Sequence, residues 1–68
     1  MSIKLITIQE RHCDDIAINT NNISSIRKNH GVVYIHLSGD KTVGTYFKSI
    51  QEAINTINSL EENNDSNW

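Results

Sequence analysis

The sequence predicts an α+β fold, in which a small antiparallel sheet is followed by one C-terminal helix. Two segments, residues 32–37 and 42–47, alternate apolar and polar side chains, which is typical of half-buried strands. The Ser-Gly-Asp-Lys between them has the composition of a hairpin turn. Residues 49–60 then combine a helix-start motif with apolar residues at helical spacing. We therefore expect a four- or five-stranded meander with an amphipathic helix packed on one face.

The N-terminal half predicts three further strands of the same sheet, joined by a polar loop and an Asn-rich turn. They cover residues 3–9, 15–18 and 23–28. In the first of them, Ile3 and Leu5 point to one side, whereas Ile6 and Ile8 point to the other. Because one helix covers only one face of a sheet, the second face is either incidentally exposed or in contact with another subunit.

Within the central hairpin, the alternation assigns each side chain to a face of the sheet. The predicted core positions are Val33, Ile35, Leu37, Val43, Thr45 and Phe47. Gly31 is the expected occupant of a left-handed turn position. Gly44 lies inside a predicted strand, which indicates a bulge or a close approach to the backbone.

The helix is predicted to start at a capping box. Ser49 and Glu52 have the required spacing, so that their side chains can accept hydrogen bonds from free backbone N–H groups. The apolar stripe that follows consists of Ile50, Ala53, Ile54, Ile57 and Leu60. We expect the domain to cover residues 1–60, and the acidic, Asn-rich residues 61–68 to form a disordered tail. Trp68 could fold back on the domain, pack on a neighbouring molecule or remain in solvent.

The composition limits both the size of the core and the expected compartment. With 68 residues, the chain is predicted to form one domain, and a domain of this size is only marginally stable alone. Cys13 is the single cysteine, so no internal disulfide can form and a reducing cytoplasm is the expected location. No long apolar run or cleavable leader is recognisable, which argues against a membrane span or export. Self-association is then the stabilising device that remains.

Four segments carry a resemblance to known families. They are Ile-Lys-Leu-Ile-Thr, Ile-Ala-Ile-Asn with Asn-Ile-Ser-Ser-Ile, Val-Val-Tyr-Ile-His-Leu-Ser-Gly-Asp and Lys-Ser-Ile-Gln-Glu-Ala-Ile. In order and spacing they resemble the FlbD family, short single-domain bacterial proteins whose genes often lie among flagellar genes. The same pattern is similar to the start of the longer LytTR-type DNA-binding domains. The resemblance implies a topology; because the matching positions are core and turn residues, it implies no functional residue.

The segment Arg11-His12-Cys13-Asp14-Asp15 gathers several metal-ligating residue types. Adjacent residues of an extended segment alternate sides, and the spacings that zinc sites need are missing. Cys13 lies next to His12, but a nucleophilic cysteine needs a base across space and an oxyanion hole, and neither is visible. We therefore expect a solvated loop, and we predict no metal, no cofactor and no catalytic residue.

Two surfaces remain as candidate binding sites. The first is an apolar sheet face turned away from the helix, which predicts a protein interface unless loops and polar side chains cover it. Its residues are Ile6, Ile8, Val32, Tyr34 and Tyr46. The second is a basic grouping at the hairpin ends, which could bind single-stranded nucleic acid beside the tyrosines. Its residues are Arg27, Lys28, Lys41 and Lys48. An edge strand offers another route to association between subunits.

The sequence therefore favours a small, non-enzymatic bacterial or phage protein that acts as a homo-oligomeric adaptor or regulator and binds another protein. A nucleic-acid-binding regulator is the alternative, although a formal net charge of −2 counts against it. An enzyme is not expected, because so short a chain has little length with which to build a pocket. No membrane partner is expected either.

Overall fold

The α+β fold class is confirmed by a computed structural model, which describes residues 5–65. Five strands are followed by one helix. Their bounds are β1 Leu5–Gln9, β2 Asp15–Asn19, β3 Ile23–Asn29, β4 Val32–Leu37, β5 Lys41–Gly44 and α1 Ile50–Asp65. The predicted start of the first strand at Ile3 and the placement of Trp68 lie outside the described residues.

The strands form two antiparallel sheets rather than one continuous meander. β1 pairs with β2, and β3, β4 and β5 form a second sheet in that order. The break falls at a short 3₁₀ helix, Thr20–Asn22, which the sequence predicts only as a turn. The Asn19 side chain caps it by accepting a hydrogen bond of 2.9 Å from the Asn21 N–H. The chain therefore turns a corner between β2 and β3, and these two strands do not pair.

The sheets meet again at the end of β5. Glu10 and Thr45 form an antiparallel bridge, and the Arg11 N–H donates to the Gly44 carbonyl at 2.8 Å. Thr45 is 1% exposed, and its hydroxyl donates to the Val33 carbonyl at 2.8 Å. The predicted core position of Thr45 is thus confirmed, and its polar group is hydrogen-bonded as burial requires.

The core lies between the two sheets and α1, which packs mainly on β1 and less extensively on β3. Its buried side chains are Ile6, Ile8, Ile18, Ile35, Val43 and Ile57. This placement corrects the assignment of Ile6 and Ile8 to a face turned away from the helix. The helix covers the side of β1 that carries these two side chains, whereas Leu5 on the opposite side is exposed.

The helix begins with the predicted cap. The Ser49 hydroxyl accepts from the Glu52 N–H at 3.0 Å, and a Glu52 carboxylate oxygen accepts from the Lys48 N–H at 3.0 Å. α1 continues to Asp65, so the first residues of the predicted tail belong to the helix. Near that end, the Thr20 hydroxyl donates to the Glu61 carboxylate at 2.5 Å, which ties the helix to the corner before β3.

The apolar stripe of the helix is only partly covered. Ala53 and Ile57 are buried, and Leu60 packs against the core. Ile50 and Ile54 remain 38% and 37% exposed. The stripe is therefore wider than the surface that the two small sheets offer it.

Candidate binding face

One face of the three-stranded sheet points away from the core, and we call it the outer face. The pairing register and the alternation of side chains along strands define its members. They are Ser25, Arg27, Asn29, Val32, Tyr34, His36, Thr42 and Gly44. Val32 and Tyr34 lie on this face as predicted, but most of its other side chains are polar. With Ile6 and Ile8 in the core, this is not the apolar surface that the sequence predicts.

Two adjoining grooves run over the outer face. The larger, of about 450 Å³, is lined by Arg27, Lys28, Asn29, Tyr34, His36 and Thr42. The second, of about 410 Å³, shares Arg27, His36 and Thr42 with it and extends to Lys41 and Asp40. The shared residues make the two grooves one shallow trough, in which the Thr42 hydroxyl lies 3.2 Å from His36 Nδ1.

The Tyr34 ring packs over Gly44. These residues are directly opposite each other on neighbouring strands. A Cβ at position 44 would lie 3.4 Å from Tyr34 Cε1 and 3.7 Å from Arg11 Cδ. The ring therefore lies over the β5 backbone at a distance where a Cβ would make ordinary van der Waals contact, and the regular pairing shows no bulge at this position.

The loop between β1 and β2 adds a further cation beside the outer face. The Arg11 guanidinium lies over the Tyr46 ring, 4.9 Å from its centroid, which is a cation–π contact. The His12 N–H donates to the Tyr46 hydroxyl at 3.4 Å. Tyr46 is nevertheless 51% exposed. Arg27, Tyr34, Gly44 and Arg11 thus follow one another across the sheet, with Tyr46 next to Arg11.

Most of the described Lys and Arg side chains lie on one side of the molecule. In the part of the chain that the structure describes, four of the five Lys and Arg side chains lie on or beside the outer face. They are Arg11, Arg27, Lys28 and Lys41. Lys48 lies just before α1 and lines neither groove. Four of the eight acidic residues belong to the helix, whereas Glu10, Asp14, Asp15 and Asp40 lie in or beside the sheets.

Three of the four predicted basic residues are therefore brought together, and Lys48 is not. Arg11 is the residue that reasoning from the sequence missed. Its position depends on the bridge between Glu10 and Thr45, which joins residues far apart in the chain. No local pattern around Arg11 signals that contact.

The loop that carries Arg11 also contains a cysteine and the residue types of metal sites. Cys13 is exposed and unpaired by any disulfide. Among residues 5–65, no three His, Cys, Asp or Glu side chains are grouped so that they could hold a metal ion. Within the same range, no helix combines the length and apolar character that crossing a membrane requires.

Comparison with known proteins identified no relative of this chain. No family model, no curated protein and no solved structure matches the chain significantly.

Proposed function

We propose that this protein is a non-enzymatic binding protein, and that its outer face binds single-stranded nucleic acid. The observation that supports the proposal is the row formed by Arg27, Tyr34 and Arg11, in which an aromatic ring lies across the sheet between two cations. Proteins that bind single strands combine such rings, on which bases stack, with cations that follow the phosphates.

The clustering of cations also supports this proposal. A net charge of −2 disfavours binding to polyanions in general. Nevertheless, Arg27 lies on the outer face and Arg11, Lys28 and Lys41 border it, and Asp40 is the one carboxylate among the residues that line the two grooves. With few cations, we expect modest affinity and a short footprint. The trough is shallow and has a flat ring at its side, which suits splayed bases better than an intact duplex.

The proposal is tested by fluorescence anisotropy with labelled DNA and RNA oligonucleotides at low salt. We expect Tyr34→Leu to weaken binding by roughly 5- to 150-fold, since stacking on one ring contributes about 1–3 kcal/mol. Arg27→Ala should weaken binding and reduce its salt dependence, because one phosphate contact is lost.

Lys48→Ala is the matched control, because it removes one cation that lines neither groove. It should bind as the unmodified protein does. Absence of binding at low salt would contradict the proposal, and so would an equal loss in Lys48→Ala and Arg27→Ala.

A self-associating, protein-binding adaptor or regulator is our second proposal, and a different surface supports it. An apolar groove of about 280 Å³ lies between α1 and β3, beside the strand at the edge of the sheet. Its lining residues are Thr20, Ile23, Ile26, Ile54, Ile57, Asn58 and Glu61. The mass of the protein in solution tests this proposal. The cytoplasmic location and the bacterial or phage origin stay predictions.

The resemblance to the FlbD family also stays a prediction, and it concerns topology alone. The feature to compare is the corner at Thr20–Asn22, which interrupts pairing between the second and third strands. An experimental structure of an FlbD family member with one continuous five-stranded sheet would count against common descent.

A further inference from the structure

β3 lies at the edge of the three-stranded sheet, and among residues 5–65 no strand pairs with it on the side away from β4. The Thr45 N–H donates to the Val33 carbonyl at 3.0 Å, so the polar backbone groups of Val33 point toward β5. Val33 is opposite Lys28 on its other side. In an antiparallel ladder, Lys28 must then direct its own N–H and C=O away from β4, and Ile26, two residues earlier, does the same.

The edge is bordered by apolar surface on the core side of the sheet. Ile26 is only partly buried, and Ile54 of the helix, which lines the same groove, is 37% exposed. Proteins usually protect an edge strand with proline, a bulge or a charge. The irregularity of β3 lies between Ile23 and Ser25, and its two cations follow Ile26. A second strand is therefore best centred at Ile26 and has to offer Lys28 an anion.

The ends of this surface carry opposite charges. Glu61 lies at the end where β3 begins, because its carboxylate accepts from the Thr20 hydroxyl. Lys28 lies near the other end of β3. Its register opposite Val33 places its Cβ on the core side of the sheet, and its exposed side chain at the edge also reaches the rim of the trough. A surface with an anion at one end and a cation at the other is complementary to itself after a two-fold rotation.

We propose that a second copy of this chain docks on the β3 edge in antiparallel orientation, with Ile26 opposite Ile26. Both residues direct backbone groups outward, so they form a hydrogen-bonded pair at the two-fold axis. Lys28 then reaches the end of the second copy's groove where Glu61 lies. Centring the pair on Arg27 instead would set two guanidinium groups opposite each other, which is unfavourable.

The resulting dimer has one six-stranded sheet, made from the three-stranded sheet of each copy, with both helices on the same side. Ile54 of each copy is covered near the axis, and the two outer faces become one continuous surface. The inference rests on the second proposed function, self-association, and is independent of nucleic-acid binding.

The oligomeric state is measured by sedimentation velocity at about 0.1 mM protein without nucleic acid, where any dimer with a micromolar Kd is populated. We expect twice the chain mass of 7.7 kDa. In a dilution series, Lys28→Glu and Glu61→Lys should each raise the Kd of the dimer at least about tenfold, because each sets like charges against each other at two equivalent sites. The double variant Lys28→Glu/Glu61→Lys should restore the dimer.

Two controls separate the proposed surface from a general effect. Lys41→Glu makes the same charge change on β5 and should leave the dimer intact. Ile54→Asp should give a monomer, whereas Ile50→Asp should not, although the two isoleucines are almost equally exposed and only Ile54 lines the groove. Far-UV circular dichroism confirms that each variant is folded.

A monomeric unmodified protein at this concentration would overturn the inference. So would a folded charge-swap double variant that stays monomeric. Tyr34→Leu should keep the dimer mass while it loses oligonucleotide binding, so failure of the interface and failure of the nucleic-acid site are told apart.

Discussion

Thr45 lies where the two sheets meet, and its hydrogen bonds stabilise that junction. Its N–H and its hydroxyl both donate to the Val33 carbonyl, at 3.0 and 2.8 Å. The hydroxyl also accepts from the Phe47 N–H at 3.4 Å. One threonine therefore fixes the end of β5, its bridge to Glu10 and the path of the chain toward the helix.

We predict that Thr45→Val, which keeps the shape of the side chain, lowers the free energy of unfolding by about 1–2 kcal/mol. The cause is that the Phe47 N–H loses its acceptor in a partly buried position. Urea denaturation followed by circular dichroism measures the change. Thr7→Val is the control, because Thr7 is exposed on β1, and its effect should be near zero. Equal effects of the two substitutions would contradict this role of Thr45.

At the level of single residues, the sequence predicts local geometry well and long-range neighbours poorly. Gly31 has φ = 78°, as its predicted left-handed turn position requires, because a residue without a side chain adopts that backbone easily. The position of Arg11 beside Tyr46 and the core placement of Ile6 could not be predicted. Both depend on which faces the sheets turn toward each other.

The helix is the element whose start the sequence defines most sharply. Ser49 and Glu52 form the reciprocal cap, and no basic residue lies in the last turn of α1. Since α1 depends on its packing against β1 and β3, loss of the cap should loosen the first turn and weaken that packing.

We predict that Ser49→Ala lowers the free energy of unfolding by about 1 kcal/mol, because the Glu52 N–H loses its acceptor. Ser59→Ala makes the same change at an exposed position inside the helix, where alanine is the better helix former, and should stabilise by roughly 0.5 kcal/mol or less. Thermal unfolding of both variants provides the measurement. A stabilised Ser49→Ala would show that the cap does not contribute.

The number and order of the elements follow from sequence periodicity, whereas their division into two sheets does not. Apolar alternation and turn residues depend on neighbours in the chain, so β4 and the start of α1 fall at their predicted places. β5 ends at Gly44, three residues before the predicted end of that strand. From the sequence alone, the corner at Thr20–Asn22 is predicted only as an ordinary turn. Only packing of α1 against both sheets shows that the chain changes direction there.

In the molecule as a whole, both sheets and the helix contribute side chains to one small core. Ile6, Ile35 and Ile57 come from the two sheets and the helix, and they belong to one cluster. A domain of this size has little stability in reserve, so association on the β3 edge should contribute to it measurably.

We therefore predict that the melting temperature rises with protein concentration. For a dimer that dissociates on unfolding, each tenfold increase in concentration adds about 1.4 kcal/mol per dimer. Differential scanning calorimetry over a hundredfold range detects this shift. Ile54→Asp, which should be a monomer, should melt at a temperature that does not depend on concentration. Concentration independence of the unmodified protein would argue for a monomer.

The core cluster, to which Ile6, Ile8 and Ile57 belong, also has a consequence for biosynthesis. Ile6 and Ile8 are made long before Ile57, yet all three belong to the same cluster. While Ile57 is still inside the ribosome, the first hairpin has no helix to cover its apolar side chains, although the pairs β3–β4 and β4–β5 can already form from local contacts. Packing of the core must wait until α1 has emerged, and during that interval the exposed isoleucines are the natural target of a ribosome-associated chaperone.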